Sequence, residues 1–122
     1  MAEHNELGTK GEELAVTFLK NKGYTILETN WRYKNLEADI IAVHSGVIVL
    51  AEVKTRTSNF FGEPETFVTK QKQSNLRRTA NSYIQQKQLD LEVRFDILSI
   101  LMNKTDDIAT INHIEGAFLF GN

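Results

Sequence analysis

Residues 37–54 read EADIIAVHSGVIVLAEVK, and this stretch decides the fold that we predict for the 122-residue chain. It contains two largely apolar segments, residues 37–44 and 47–54, on either side of Ser45-Gly46. A two-residue connection that contains glycine is typical of a β-hairpin. The second segment is almost continuously apolar from 47 to 53, which is typical of a central strand that is covered on both faces.

The hairpin register places acidic side chains opposite each other. With Ser45-Gly46 as the turn, Ile41 faces Leu50 and Asp39 faces Glu52. Opposed residues project from the same face with Cβ atoms about 5 Å apart, so Asp39, Glu52 and Lys54 converge. Like charges in this position destabilise a sheet, and burial raises the pKa of at least one carboxyl. Either Lys54 or a hard divalent cation, which prefers oxygen ligands, would neutralise the pair.

The rest of the chain completes an α/β pattern. Helical apolar spacing and strand-like alternation predict helices at residues 6–22 and 66–88, and further strands at residues 24–33, 91–102 and 107–114. Residues 55–66 are predicted to be a loop, and the tail, residues 115–122, to fold back through Phe118 and Phe120. The order predicts one domain, residues 1–122, with a central mixed sheet flanked by helices, a parallel strand pair across the second helix, and the last strand at an edge.

The first predicted helix carries one acid that can face the core. Either Asn5 or Thr9 is a candidate N-cap, Thr9 and Glu12 match a capping box, and Gly23 suits the C-terminal end. At about 100° per residue, Glu12 flanks the apolar face, whereas Glu13 lies nearly opposite, toward solvent. A capping or helix-dipole role explains Glu12 as well as a site role does.

The second predicted helix has polar residues on its inward face. Extending the face of Leu76 back by one turn reaches Lys72 and Gln73, which suggests the edge of a site. Lys72 at a helix end is equally explained by snorkelling. Arg77 and Arg78 lie further round the helix, where they suit phosphate contacts or plain solvent.

Composition limits the possible functions. The net charge is −2, but residues 54–94 contain eight Lys or Arg against four Asp or Glu, a local charge of +4. The chain has no cysteine, so disulfides and thiolate chemistry are excluded. The phosphate-cradling and dinucleotide-binding glycine motifs are absent, as is the nucleophile elbow of α/β-hydrolases. No secretory signal or membrane-length apolar run is present, so we expect a cytoplasmic protein with no membrane contact.

The motifs, taken together, resemble a known family. Asp39 followed by Glu52-Val53-Lys54 resembles the PD-(D/E)XK nuclease signature. A longer series looks like the uncharacterised bacterial YraN family, which is similar to archaeal Holliday-junction resolvases. The series comprises Gly11-Glu12, Gly23-Tyr24, Asn30-Trp31-Arg32, Glu37-Ala38-Asp39, Glu52-Val53-Lys54-x-Arg56, Phe61-Gly62 with Pro64, Lys72-Gln73 and Arg94-Phe95-Asp96.

The resemblance implies a restriction-endonuclease-like core and a role for each matching residue. Asp39 and Glu52 would bind Mg²⁺ or Mn²⁺, and the carbonyl of Val53 would add a ligand. Lys54 would orient or activate the attacking water, and Glu12 would match a first-helix glutamate that approaches the metal. Four further residues would contact nucleic acid: Arg56, Lys72, Gln73 and Arg77.

Two positions depart from the family pattern. Leu36 stands where the family usually has glycine, and Ala38 stands where the superfamily signature has proline. Neither change removes a metal ligand, although Leu36 would alter the turn that enters the strand.

The implied function is metal-dependent endonucleolytic hydrolysis of phosphodiester bonds in structured DNA. Resolution of a four-way junction would require two sites and therefore a homodimer. One alternative is a non-catalytic nucleic-acid-binding module that retains a nuclease-like site. Another is a structural protein in which Asp39, Glu52 and Lys54 form a buried ion cluster.

Overall fold

A computed structural model describes residues 2–57, 68–103 and 109–120 of the chain. Its elements are α1 (Ala2–Asn21), β1 (Thr25–Tyr33), β2 (Leu36–His44), β3 (Val47–Thr57), α2 (Lys70–Lys87), β4 (Glu92–Met102) and β5 (Ala109–Phe118). The five strands form one sheet in the order β1-β2-β3-β4-β5. Only β3 and β4 are parallel. The predicted α/β domain with a mixed sheet is therefore confirmed, and it is compatible with a restriction-endonuclease-like core.

The hairpin at the centre of the sheet has the predicted register. Ile41 pairs with Leu50 in the antiparallel ladder of β2 and β3. Both turn residues have positive φ, 51° at Ser45 and 77° at Gly46. Positive φ at both central residues defines the turn whose twist matches that of the flanking strands. The turn therefore fixes which residues of β2 and β3 face each other.

The regular alternation of β2 breaks at Asp39. The paired ladder of β2 and β3 ends at Ile40 and Ala51. Ala38 belongs to the core cluster on one face of the sheet, while Ile40, two residues away, belongs to the cluster on the other face. Because residues two apart in a regular strand share a face, the backbone must turn locally at Asp39.

The two helices cover opposite faces of the sheet. On the α1 face the buried core comprises Ala15, Leu19, Tyr24, Ile40, Ala42, Val49, Ala51, Leu98, Ile100 and Met102. On the α2 face it comprises Ala38, Ile41, Ile48, Leu50, Val68, Leu76, Ala80, Tyr83, Phe95 and Ile97. Successive residues of β3 contribute to both clusters, which confirms it as a central strand. Polar residues at the end of such a strand are consequently enclosed by helices.

The start of α1 corrects one prediction. The helix begins at Ala2, so Asn5 and Thr9 lie inside it and neither is its N-cap. The helix therefore starts before the apolar stripe that guided the prediction. Gly23, with φ of 91°, ends the helix as predicted.

The predicted loop after β3 begins too early. β3 continues to Thr57 and pairs in parallel with β4 as far as Met102. These polar residues form strand because a long parallel neighbour is available, which overrides their local sequence. Helix α2 begins at Lys70, with Thr69 as its N-cap, and not at residue 66. The motif residues Phe61, Gly62 and Pro64 lie outside the described residues.

The end of the chain also differs from the prediction. β5 runs at the edge of the sheet, as predicted, but it extends to Phe118. Residues 115–118 therefore continue the strand and do not fold back. The ring of Phe118 stacks on that of Phe95 at 4.7 Å, and this apolar contact keeps the strand on the sheet.

Candidate active site

The site is built where β2 and β3 separate. Glu52, on β3, is buried, with 4% of its surface exposed. Asp39, on β2, is partly buried, and its Oδ2 accepts a hydrogen bond from the backbone N–H of Val53 at 2.9 Å. This bond ties Asp39 to the residue that follows Glu52. The structure therefore brings the two predicted carboxylates into one cluster.

Two lysines from different elements reach the same carboxylate oxygen. Glu52 Oε2 lies 3.4 Å from Lys54 Nζ on β3 and 3.5 Å from Lys72 Nζ on α2. The other oxygen, Oε1, is buried and has no hydrogen-bond partner among the described residues. An unpartnered buried acceptor costs about 1–3 kcal/mol, more when it is charged. An oxygen in this state is suited to ligate a hard cation.

The electrostatics of the cluster disfavour two free carboxylates. Burial raises the pKa of Glu52, and the neighbouring charge of Asp39 raises it further, against the opposing effect of Lys72 and Lys54. Burial also raises the pKa of Asp39, although the Val53 N–H and the same lysines oppose this. Both pKa values lie above their ordinary range. A bound divalent cation would therefore relieve an unfavourable charge arrangement.

A close approach of α1 to β3 brings Glu12 toward this cluster. A Cβ on Gly11 would overlap Oγ1 of Thr55, so glycine is required where the helix contacts the strand. Glu12 follows immediately on α1 and is partly buried. The rotation predicted from the apolar stripe is confirmed, because Glu13 is exposed.

Glu12 is electrostatically linked to the carboxylates. Burial raises its pKa, a hydrogen bond with the side chain of Asn30 lowers it, and the charges of Asp39 and Glu37 raise it. The net effect is a raised pKa. Asn30 itself has φ of 52°, a left-handed conformation that asparagine tolerates better than most residues. A strained asparagine thus helps to hold Glu12 at the edge of the site.

The oxygen donors of the site suit one hard cation whose coordination shell is only partly supplied by protein. Within the described ranges, no three His, Cys, Asp or Glu side chains are grouped so as to hold a metal ion. The carboxylates that a cation could bind here are those of Asp39 and Glu52, and the carbonyl of Val53 is the remaining predicted ligand. Mg²⁺ usually keeps several waters and binds through one or two carboxylates plus substrate phosphate. This site has that donor count.

Comparison with known proteins gives the family. Residues 11–100 match the family model described as "Uncharacterised protein family UPF0102". The chain belongs to the UPF0102 family. A UPF0102 protein of Christiangramia forsetii is 49% identical over 98% of this chain and 99% of its own. One of Flavobacterium psychrophilum is 48% identical over 97% and 98%. One of Caldicellulosiruptor saccharolyticus is 46% identical over 93% and 97%. The motif-based resemblance to the YraN family is thereby confirmed.

One of the predicted nucleic-acid contacts of this UPF0102 protein, Lys72, contacts a carboxylate, and two others lie on α2 and near the end of β3. Lys72 contacts Glu52 directly, as described above. Gln73 is one residue further along α2, where its amide donates to the carbonyl of Val68 at 3.2 Å. Arg56 lies near the end of β3 and donates to the carbonyl of Thr55 at 2.9 Å. Contact of these residues with nucleic acid stays a prediction.

The fourth predicted contact, Arg77, is held by the end of the chain. Its Nε donates to the carbonyl of Leu119 at 2.8 Å, and its guanidinium lies 5.5 Å from the ring centroid of Phe118. Its Nη2 also reaches the side chain of Gln73 at 3.5 Å. These contacts give Arg77 a structural role in fastening the segment after β5 to α2. Its role in nucleic-acid binding stays a prediction.

The structure contains a second polar cluster, centred on Asp96, that was not predicted from the sequence. Asp96, 1% exposed on β4, accepts hydrogen bonds from Arg94, from His113 at 2.7 Å and from the backbone N–H of Gly116 at 3.0 Å. Burial alone would raise the pKa of Asp96, but the bonds from His113, Arg94 and Gly116 lower it. The sequence signal was an aspartate inside the apolar strand LEVRFDILSILM. Arg94 lies two residues away on the same strand, but His113 and Gly116 are too distant in sequence for a spacing rule to identify them.

The same cluster connects β4 and β5 to the end of α1. Lys22 Nζ lies 2.8 Å from His113 Nδ1. Because a lysine ammonium only donates, Nδ1 accepts and Nε2–H donates to the carboxylate. Arg94 also donates to the hydroxyl of Tyr24 at 2.6 Å, and the Tyr24 ring stacks on His44 at 4.1 Å. The stacking on Tyr24 gives His44 a structural role at the edge of this cluster.

In the part of the chain that the structure describes, neither helix combines the length and the apolar character that a membrane crossing requires.

Proposed function

We propose that this UPF0102 protein is an endonuclease that hydrolyses phosphodiester bonds in structured DNA with Mg²⁺ or Mn²⁺. The observation that carries the proposal is the buried carboxylate of Glu52, with one oxygen unpartnered among the described residues and the other near two lysines. Asp39 belongs to the same cluster, and both carboxyls have raised pKa values. Buried acids with perturbed pKa values beside cations are typical of catalytic sites.

The residues divide between holding the cation and contacting the phosphate. Asp39, Glu52 and the carbonyl of Val53 would hold the cation, which when bound would supply Lewis acidity toward phosphate oxygens and lower the pKa of a bound water. Lys54 and Lys72 donate hydrogen bonds to the phosphate and stabilise its developing negative charge. Both lysines are partly exposed, so each is accessible to a substrate in addition to contacting Glu52.

Glu12 has a supporting role in this proposal. Its raised pKa lets its carboxyl hold a proton at a pH at which an exposed glutamate has lost it. A protonated Glu12 repels Asp39 less, so its titration adjusts how strongly Asp39 holds a cation. Because the reacting group is the backbone phosphate, the chemistry is independent of base identity, and selectivity comes from DNA structure.

Cleavage of a panel of linear, flap and four-way DNA, with Mg²⁺ or Mn²⁺, tests the proposal. We expect cutting by the parent and a loss of at least about a hundredfold for Glu52→Gln and for Asp39→Asn. Glu13→Gln is the matched control, since it removes an exposed acid one residue from Glu12. Equal cleavage by Glu52→Gln and the parent contradicts the proposal.

One observation favours a second candidate, a non-catalytic nucleic-acid-binding module. Asp39 and Glu52 carry two negative charges and Lys54 and Lys72 two positive ones, so the cluster is neutral without a cation. A protein of this kind binds structured DNA equally in Mg²⁺, Ca²⁺ and EDTA, and cuts no substrate. If instead the four residues form only a structural ion cluster, replacing them together with apolar residues leaves the protein as stable or more stable.

A further inference from the structure

A cleft separates the turn between β1 and β2 from the outer side of α2. Its volume is about 320 Å³, and it is lined by Tyr33, Lys34, Asn35, Leu36, Arg78, Asn81, Ser82 and Gln85. We call this the turn–helix cleft. Its lining contains two cations, several amide and hydroxyl groups and no acid. Such a lining complements an anion that offers many hydrogen-bond acceptors.

The two cations of the turn–helix cleft are not neutralised by the surrounding protein. Within the described ranges, neither Lys34 nor Arg78 forms an ion pair with an acid. Nearby Arg32, by contrast, pairs with Glu37 at 3.5 Å. Lys34 and Arg78 therefore retain their charge for a ligand. The negative charge of Glu37, two residues before Asp39, is offset by its ion pair with Arg32.

An aromatic series fixes one wall of the cleft to the core. Tyr33 is 39% exposed, and its ring stacks with Trp31 at 6.3 Å. Trp31 in turn contacts Tyr83 of α2 edge-on at 5.2 Å. Lys34 Nζ lies 5.3 Å from the Tyr33 ring centroid. The wall is thus preorganised, which lowers the entropy cost of binding.

The turn–helix cleft and the active site lie along the same strand, β2. Leu36, which lines the cleft, precedes Asp39 by three residues, about 10 Å along the strand. This distance equals the rise of about three nucleotides in one strand of duplex DNA. A DNA strand whose phosphate lies at the carboxylates therefore reaches the cleft about three nucleotides away.

The groove on the other side of the site has the opposite character. It lies between α1 and β1, has a volume of about 430 Å³, and is lined by Thr9, Glu12, Glu13, Val16, Thr17, Thr29 and Asn30. It is the larger of the two, but its two glutamates repel a phosphate backbone. The charge of the lining, and not the volume, therefore makes the turn–helix cleft the better candidate for contact with DNA.

We infer that the turn–helix cleft binds the DNA backbone about three nucleotides from the cleaved bond, through phosphate contacts from Lys34 and Arg78. This inference rests on the proposed function for the position of the cleaved bond. The amides and hydroxyl of Asn81, Ser82 and Gln85 donate to neighbouring phosphate or sugar oxygens. The contacts position the strand and are independent of base sequence.

Binding of a fluorescein-labelled four-way DNA, measured by anisotropy in EDTA over a series of salt concentrations, tests the inference. The cleft variant combines Lys34→Gln with Arg78→Gln. The charge-matched control combines Lys20→Gln with Lys87→Gln, which removes two exposed cations elsewhere. We expect the cleft variant to bind about tenfold or more weakly, with a log–log salt slope smaller by about 2. The control changes less than twofold.

A variant with added charge separates binding from misfolding. Gln85→Lys adds a cation at an exposed position of the cleft, and we expect it to tighten binding. Equal losses for the cleft and control variants, no change in Gln85→Lys, or no DNA binding by the parent each overturn the inference.

Cleavage in Mg²⁺ or Mn²⁺ separates this inference from the proposed function. If the parent cuts DNA and the cleft variant binds like the parent, the inference fails while the function stands. If binding depends on the cleft but the parent cuts nothing, the inference stands and the function fails.

Discussion

Stabilisation of the folded protein by Mg²⁺ follows from the charge arrangement of the site. A ligand that binds only the folded state adds about 2.7 kcal/mol at one hundred times its Kd. Unfolding entropy is about 2.1 cal/mol/K per residue, so 122 residues give about 0.26 kcal/mol/K. Dividing this binding free energy by the unfolding entropy gives a rise in Tm of about 10 °C. Differential scanning fluorimetry at pH 7.5, with Mg²⁺ titrated to saturation, measures it.

The pH dependence of this shift has a definite sign. The folded-state pKa values of Asp39 and Glu52 are raised, so ionisation of the pair removes stability as pH rises through those values. A cation binds only the ionised pair. The Mg²⁺ shift is therefore present above the raised folded-state pKa values and is lost as pH falls through them, before the pH reaches the values of unfolded carboxyls, about 4.

Matched variants decide whether the shift comes from this site. Glu52→Gln should abolish it, whereas Glu13→Gln, at an exposed position, should retain it. The reasoning is refuted if Glu52→Gln shows the parent's shift, or if neither Mg²⁺ nor Mn²⁺ moves the Tm of the parent.

Two further predictions concern stability and are measured by urea unfolding. Gly11→Ala should lose about 1–3 kcal/mol because its Cβ overlaps Thr55, whereas Gly8→Ala, with no atom near the new Cβ, should lose nothing. A cost at both glycines or at neither contradicts the close approach. Asp96→Asn should lose about 3–5 kcal/mol by breaking a buried charge network, and Glu115→Gln, at its exposed rim, under about 1 kcal/mol. Since the folded-state pKa of Asp96 is lowered, its contribution to stability is fully present above the pKa of an unfolded aspartate and is lost as pH falls through the folded-state pKa. Similar losses of stability in Asp96→Asn and Glu115→Gln argue against a network centred on Asp96.

The central hairpin was predictable because its information is local. Ser45-Gly46 sets the turn, and the register that follows brings Asp39 close to Glu52. The ladder ends one pair earlier than predicted, at Ile40 and Ala51, and Asp39 accepts a hydrogen bond from the Val53 N–H, which register alone does not give. Glu12 was also accessible, since helical periodicity gives its rotation. These features depend on neighbours within one or two elements.

The features that were missed depend on tertiary contacts. The strand character of residues 55–57 comes from pairing with β4, which lies beyond a whole helix in sequence. The partners of Asp96 come from β4 and β5, and a bulge with positive φ at Gly116 places one of them. The distinction between Arg77, held by Leu119, and Arg78, at the turn–helix cleft, depends on how the end of the chain packs.

The most direct test of the central claim is the location of a metal ion in crystals soaked with Mn²⁺, by anomalous diffraction. We predict one strong peak bonded to carboxylate oxygens of Asp39 and Glu52 and to the carbonyl of Val53, at about 2.2 Å from each. In crystals of Glu52→Gln the peak should vanish. Soaked parent crystals without a peak at Glu52, or with Mn²⁺ held only by other residues, would contradict the account.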